Sequence, residues 1–115
     1  MVLKKVLDTN AILYFLGGRL AKPLPPGQYF VSVISEMELL SYPSLDAAAL
    51  ERIDAFLSEV VVIGLTNEVK NLAIRLRRDQ ALKMPDAIVA ATALSLQAEL
   101  LTNDQKLLRV PGLAA

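Results

Sequence analysis

Lys4-Lys5-Val6-Leu7-Asp8-Thr9-Asn10 is the stretch on which the fold turns, because a short aliphatic run ends on an acid and passes directly into an apolar segment over residues 10–16. Residues 4–7 read as a strand and residues 10–16 as a buried first helix, which Gly17 and Gly18 then stop. The rest of the chain repeats that alternation. Three prolines and a glycine mark residues 23–27 as a loop, and residues 29–33 follow as a second strand. A short helix is expected from near Ser35 to near Tyr42, since Pro43 cannot continue it. Ser44 reads as the N-cap of a third helix, with Asp46 in its first turn and Leu50, Ile53 and Leu57 forming an apolar stripe to about Glu59.

Residues 60–63 form a wholly apolar third strand. Thr66 caps the next helix, whose Val69, Leu72, Ala73 and Leu76 share one face, with Arg75, Arg77 and Arg78 near its end. Pro85 suits the first turn of a helix running to about Gln97, and the small residues over 90–93 allow close packing against a sheet or another helix. A last short strand over residues 99–102 leads into a small helix or turn from Asn103, before the tail at 111–115. Strands alternating with helices imply a parallel α/β sandwich, in which ligands gather at the carboxyl ends of the strands.

Composition narrows the chemistry. A chain of 115 residues is one domain, residues 1–115, able to bury a core without staples. There is no cysteine, so thiolate ligands and disulfides are excluded and a reducing cytoplasm is the expected compartment. The apolar stretch at residues 11–18 is too short to span a bilayer, which predicts a soluble protein. The absence of histidine removes Ser-His-Asp catalysis, paired-histidine RNA cleavage and nearly every zinc enzyme site. The remaining chemistry must run on carboxylates. Gly17-Gly18 lacks the other glycines of a phosphate cradle, and no Gly-Lys-Ser/Thr loop occurs. A hydrophobic content of 54% and a mean hydropathy of +0.44 suggest that a partner covers part of the surface.

On this reading Asp8 ends the first strand, Glu38 lies in the helix after the second, Asp86 opens a helix and Asp104 follows the last strand. Several of these map to one edge of the sheet. Carboxylates gathered there raise one another's pKa, and a hard cation such as Mg²⁺ or Mn²⁺ relieves the repulsion. Each acid also has a plainer role: Asp8 as a helix cap, Asp86 as a complement to a helix dipole, Asp104 as a turn or cap residue. Glu36 and Glu38 point about 200° apart on a helix, so only one can face a given site, and position alone does not choose. The net charge is zero, yet if four of the twelve acids share one site, eight remain against twelve Lys and Arg. That surplus suits a nucleic-acid partner.

Leu7-Asp8-Thr9-Asn10, Ser32-Val33-Ile34-Ser35 with Glu38-Leu39, the run Pro85-Asp86-Ala87-Ile88-Val89-Ala90-Ala91-Thr92-Ala93, and Leu100-Leu101-Thr102-Asn103-Asp104 together resemble PIN-domain nucleases of the VapC type. The four motifs occur in the family's order and span nearly the whole chain. The resemblance implies a three-layer α/β/α sandwich around a mainly parallel sheet of four or five strands. It implies an acidic Mg²⁺ or Mn²⁺ site made by Asp8, Glu38, Asp86 and Asp104, choosing Glu38 over Glu36 because the family's acid precedes Leu. Asn10 and Thr102 look like supporting polar residues.

Proteins of this type are typically endoribonucleases of toxin–antitoxin pairs that cut structured RNA such as transfer or ribosomal RNA, form homodimers and are silenced by a cognate VapB-type antitoxin. Arg75, Arg77, Arg78 and Lys83 are candidates for RNA phosphates, although charges at a helix end are commonly a solvated face. The chain is shorter than most members, and Leu107 stands where an aromatic residue is common. Two other readings stay open: a PIN fold that only binds, and a phosphoacceptor receiver domain. The receiver fits less well, lacking the paired acid after the first strand and the Lys near the last.

Overall fold

The structure is a computed structural model and describes residues 3–17 and 26–113. Gly18, the prolines at 23 and 25, and residues 114–115 lie outside the described residues. Four strands, β1 (Lys4–Leu7), β2 (Gln28–Ser32), β3 (Val61–Ile63) and β4 (Glu99–Leu101), form one sheet in the order β3-β2-β1-β4. Every pairing is parallel. Among the described residues six helices accompany them: α1 (Thr9–Leu16), α2 (Val33–Leu40), α3 (Ala47–Ser58), α4 (Asn67–Gln80), α5 (Met84–Leu96) and α6 (Gln105–Leu108).

Alternation along the strands builds two cores, since successive side chains point to opposite faces. Val6, Phe30, Ile63 and Leu100 face a cluster filled by α4, α5 and the C-terminal segment. Leu7, Tyr29, Val31 and Leu101 face a second cluster with Ile12, Leu39, Ile53 and Phe56 from α1, α2 and α3. Burial on both faces explains why the strands read as continuous apolar runs. The outcome is the expected α/β/α sandwich with four strands.

Helix α5 is the most enclosed element. Seven consecutive residues, Ala87 to Ala93, are buried, so this helix has no solvent face over two turns. Its alanines let neighbouring backbones approach, and the buried Thr92 hydroxyl is satisfied within the helix by donating to the Ile88 carbonyl at 2.8 Å. Among the described residues no helix is long and apolar enough to cross a membrane.

Some boundaries differ from expectation. Helix α2 begins at Val33 rather than near Ser35, because the Ser32 hydroxyl accepts the Ile34 N–H at 3.1 Å and caps the helix as soon as β2 ends. Asp46, not Ser44, is the N-cap of α3: its Oδ1 accepts the Ala49 N–H at 2.7 Å. A carboxylate set directly before Ala-Ala-Ala-Leu outcompetes a hydroxyl two residues upstream. Thr66 caps α4 as expected, accepting the Val69 N–H at 3.1 Å.

An acidic cleft at the carboxyl edge of the sheet

Strand register creates the site. Leu7 pairs with Val31 on one side and Leu101 on the other, so the next residues, Asp8, Ser32 and Thr102, come level at the carboxyl edge, where Ser32 still pairs with Ile63 while Asp8 and Thr102 pass beyond their strands. The Asp8 N–H extends the ladder by donating to the Leu101 carbonyl at 3.2 Å. There Asp8, only 7% exposed, caps α1 by accepting the Ala11 N–H on Oδ1 at 2.7 Å. Its other oxygen, Oδ2, accepts the Thr102 hydroxyl. Thr102 in turn accepts the Asp104 N–H at 3.0 Å, while Asp104 caps α6 by accepting the Lys106 N–H at 2.9 Å.

Two acids are thus fixed from opposite ends of the chain by one threonine. Capping and lining the cleft are compatible roles, because an ionised carboxylate has about four lone-pair sites and the caps occupy few of them.

Asp8, Glu38, Asp86 and Asp104 all line one cleft of about 150 Å³, joined by Thr9, Asn10 and Tyr42. Glu38, on the outward part of α2, reaches it by accepting the Thr9 hydroxyl on Oε1 at 2.7 Å. Asp86 arrives on the first turn of α5, behind Pro85. Partial burial raises the Asp86 carboxyl above the ordinary range, the charges of Asp104, Glu38 and Asp8 push it further, and Lys83 opposes them. Of the four basic residues singled out from sequence, Lys83 therefore stands beside the acids. Arg77 donates to the Leu82 carbonyl at 2.9 Å, tying the end of α4 to the loop before α5, and Arg78 pairs with Asp79 at 3.5 Å.

Larger hollows are mainly apolar and contain none of these four acids. One of about 300 Å³ is lined by Phe15, Phe56 and Arg52, and another of about 200 Å³ by Leu13, Leu45 and Ile53. The second shares Tyr42 with the acidic cleft. Chemistry selects the smaller, polar cleft, since it gathers four acids whereas the mainly apolar hollows offer only Arg52 and Glu59 as charged groups.

An all-oxygen donor set of four carboxylates suits a hard divalent cation. Among the described residues no three acids are drawn together tightly enough to make a ready-made cage. Mg²⁺ does not need one, because it keeps several waters and is held through one or two carboxylates. Asp8, Glu38, Asp86 and Asp104 are the residues that could hold it. Sequence reasoning missed Thr9, Ser35 and Tyr42: the first two lay inside the family-like motifs, but nothing local announced their partners.

The PIN domain family model matches residues 5–113. This chain belongs to the PIN domain family. A chain of a toxin–antitoxin complex from Klebsiella pneumoniae is 26% identical, with a TM-score of 0.80 over 96% of both chains. VapBC2 from Rickettsia felis, bound to a DNA fragment from its promoter, gives 22% identity and a TM-score of 0.81 over 97% of this chain and 96% of that one. VapBC-1 from nontypeable Haemophilus influenzae gives 23% and 0.76 over 97% and 96%. No curated protein matches the chain. Family membership sets the receiver-domain reading aside.

Proposed function

We propose that this PIN-domain protein is a divalent-metal-dependent endoribonuclease, the toxin of a VapBC-type pair. The observation that carries the reading is the convergence of four carboxylates from four separate elements on one cleft, in a chain with no histidine to run a metal-free alternative. Asp8, Glu38, Asp86 and Asp104 would hold Mg²⁺ or Mn²⁺, which when bound acidifies a coordinated water and offsets charge on the scissile phosphate. Thr102 keeps Asp8 oriented. Lys83 supplies a cation to an RNA phosphate at the rim, Asn10 a hydrogen-bonding side chain, and the exposed Tyr42 ring a face for an unpaired base. Arg75 and Arg78 remain candidates for phosphates farther along the strand.

Silencing follows from the neighbouring apolar groove. An antitoxin segment lying along Leu13, Leu45 and Ile53 would pass Tyr42 and enter the acidic cleft, where an Arg or Lys could take the place of the cation. Exposed apolar side chains elsewhere, including Val61, Leu65 and Ile74, suit a homodimer contact. The toxin reading also draws on the similarity to chains of toxin–antitoxin complexes.

Sequencing of RNA ends after expression of wild type beside Asp8→Asn tests the proposal. New ends that require Asp8 and Mg²⁺ or Mn²⁺ are expected, with a loss of at least about 100-fold in the variant. Identical ends from both proteins would leave a PIN fold that binds without cutting.

A further inference from the structure

Glu38 differs from the other acids in lacking a fixed position of its own. Asp8 and Asp104 are locked by helix caps and Asp86 sits on a short side chain at a helix start, whereas Glu38 is exposed, on a longer and more flexible stem. Among the described residues one group reaches it across the structure: the Thr9 hydroxyl, 2.7 Å from Glu38 Oε1 and 3.1 Å from Ser35 Oγ. Thr9 has a single hydroxyl proton, and an ionised carboxylate can only accept. The proton of Thr9 therefore goes to Glu38, and Ser35 completes the chain by donating to Thr9. Ser35 is fully buried, so its end of the chain is anchored in the body of the protein, while the β-branched Thr9 has a restricted χ1 that aims its oxygen.

Resting on the metal-nuclease reading, we propose that Thr9 is a positioning residue: with Ser35 behind it, it clamps Glu38 Oε1 and so presents Oε2 to the divalent ion. Thr9 immediately follows Asp8, so the first turn of α1 fixes two of the four acids at once. The clamp makes α1 a ruler for the spacing between Asp8 and Glu38, and metal affinity depends on a hydroxyl that touches no metal.

Mn²⁺ titration of the full chain, read by the loss of the free-ion electron paramagnetic resonance signal, tests the clamp without relying on turnover. Thr9→Val keeps the side-chain shape and removes the hydroxyl; its Mn²⁺ dissociation constant is expected to rise about 10-fold, with Thr9→Ser restoring it to within about twofold. Ser35→Ala, which loosens Thr9 without removing its proton, is expected to fall between them and serves if Thr9→Val does not fold. A merely structural tie between α1 and α2 would lower Tm in EDTA but leave Mn²⁺ affinity unmoved. Wild-type affinity in folded Thr9→Val or Ser35→Ala, beside weakened Asp8→Asn, overturns the clamp and spares the metal site. Equal Mn²⁺ binding by wild type and Asp8→Asn, or none by either, overturns the metal site and the clamp with it.

Discussion

Each of the four acids could be found from its own motif, but capping a helix and lining a site looked like alternatives there, and the fold makes them compatible. Asp8 and Asp104 cap helices and line the cleft at the same time. Thr9 and Ser35 were illegible for a different reason: their partners lie 26 and 29 residues away, and only tertiary folding makes a hydroxyl part of a site. Asp86 yields a prediction at this scale. Its folded carboxyl titrates above the ordinary value, so the folded state holds its proton more tightly than the unfolded chain. That favourable contribution is fully present below the unfolded pKa and is lost as pH rises through the raised one. In EDTA, Asp86→Asn is therefore expected to raise Tm at pH 8, with the gain shrinking as pH falls toward 4. Saturating Mn²⁺ should reverse the order, since wild type, with one more carboxylate, gains more from the ion. Thermal melts at the two pH values with and without Mn²⁺ check this, and a lower Tm for the variant at pH 8 in EDTA would contradict it.

Helices and strands were legible wherever periodicity or a breaker was strong, as for α4 and for α5 behind Pro85. Helix starts were harder, since Ser32, Ser35, Ser44 and Asp46 all offer cap chemistry and the sequence does not rank them. The cap of α3 gives a direct check: Asp46→Ala should cost about 1 kcal/mol and Ser44→Ala close to nothing in urea melts. Equal costs would place the cap elsewhere. The end of α4 is a second. Ala81 is left-handed, at φ 55°, a conformation that a Cβ disfavours by about 1 kcal/mol, so Ala81→Gly should stabilise by up to that amount. Helix α5 has no slack, with both Ala90 and Ala91 fully buried. Ala91→Leu is expected to lose about 1–3 kcal/mol by overpacking, and an unchanged urea midpoint would show the interface to be looser than drawn.

Across the whole molecule, alternation predicted a parallel α/β sandwich, yet strand order was out of reach, because β1 lies between β2 and β4 only through a pairing nearly the full length of the chain. That pairing makes the site, bringing Thr102 to Asp8. The apolar excess of the sequence appears as exposed side chains and as a groove that shares Tyr42 with the acids. If a partner segment uses both, partner and cation must oppose each other: saturating antitoxin should raise the Mn²⁺ dissociation constant at least about 10-fold, and Mn²⁺ should weaken the antitoxin by the same factor. Independent binding would remove the proposed route of silencing. For the chain to cut RNA as proposed, Asp8, Glu38, Asp86 and Asp104 must meet around divalent metal. Anomalous diffraction from a crystal of the protein soaked in Mn²⁺ reads that out: a peak is expected in the cleft, roughly 2.1–2.4 Å from carboxylate oxygens of Asp8 and at least one of Glu38, Asp86 and Asp104. A well-ordered cleft with no peak, or Mn²⁺ bound only elsewhere on the surface, would contradict it.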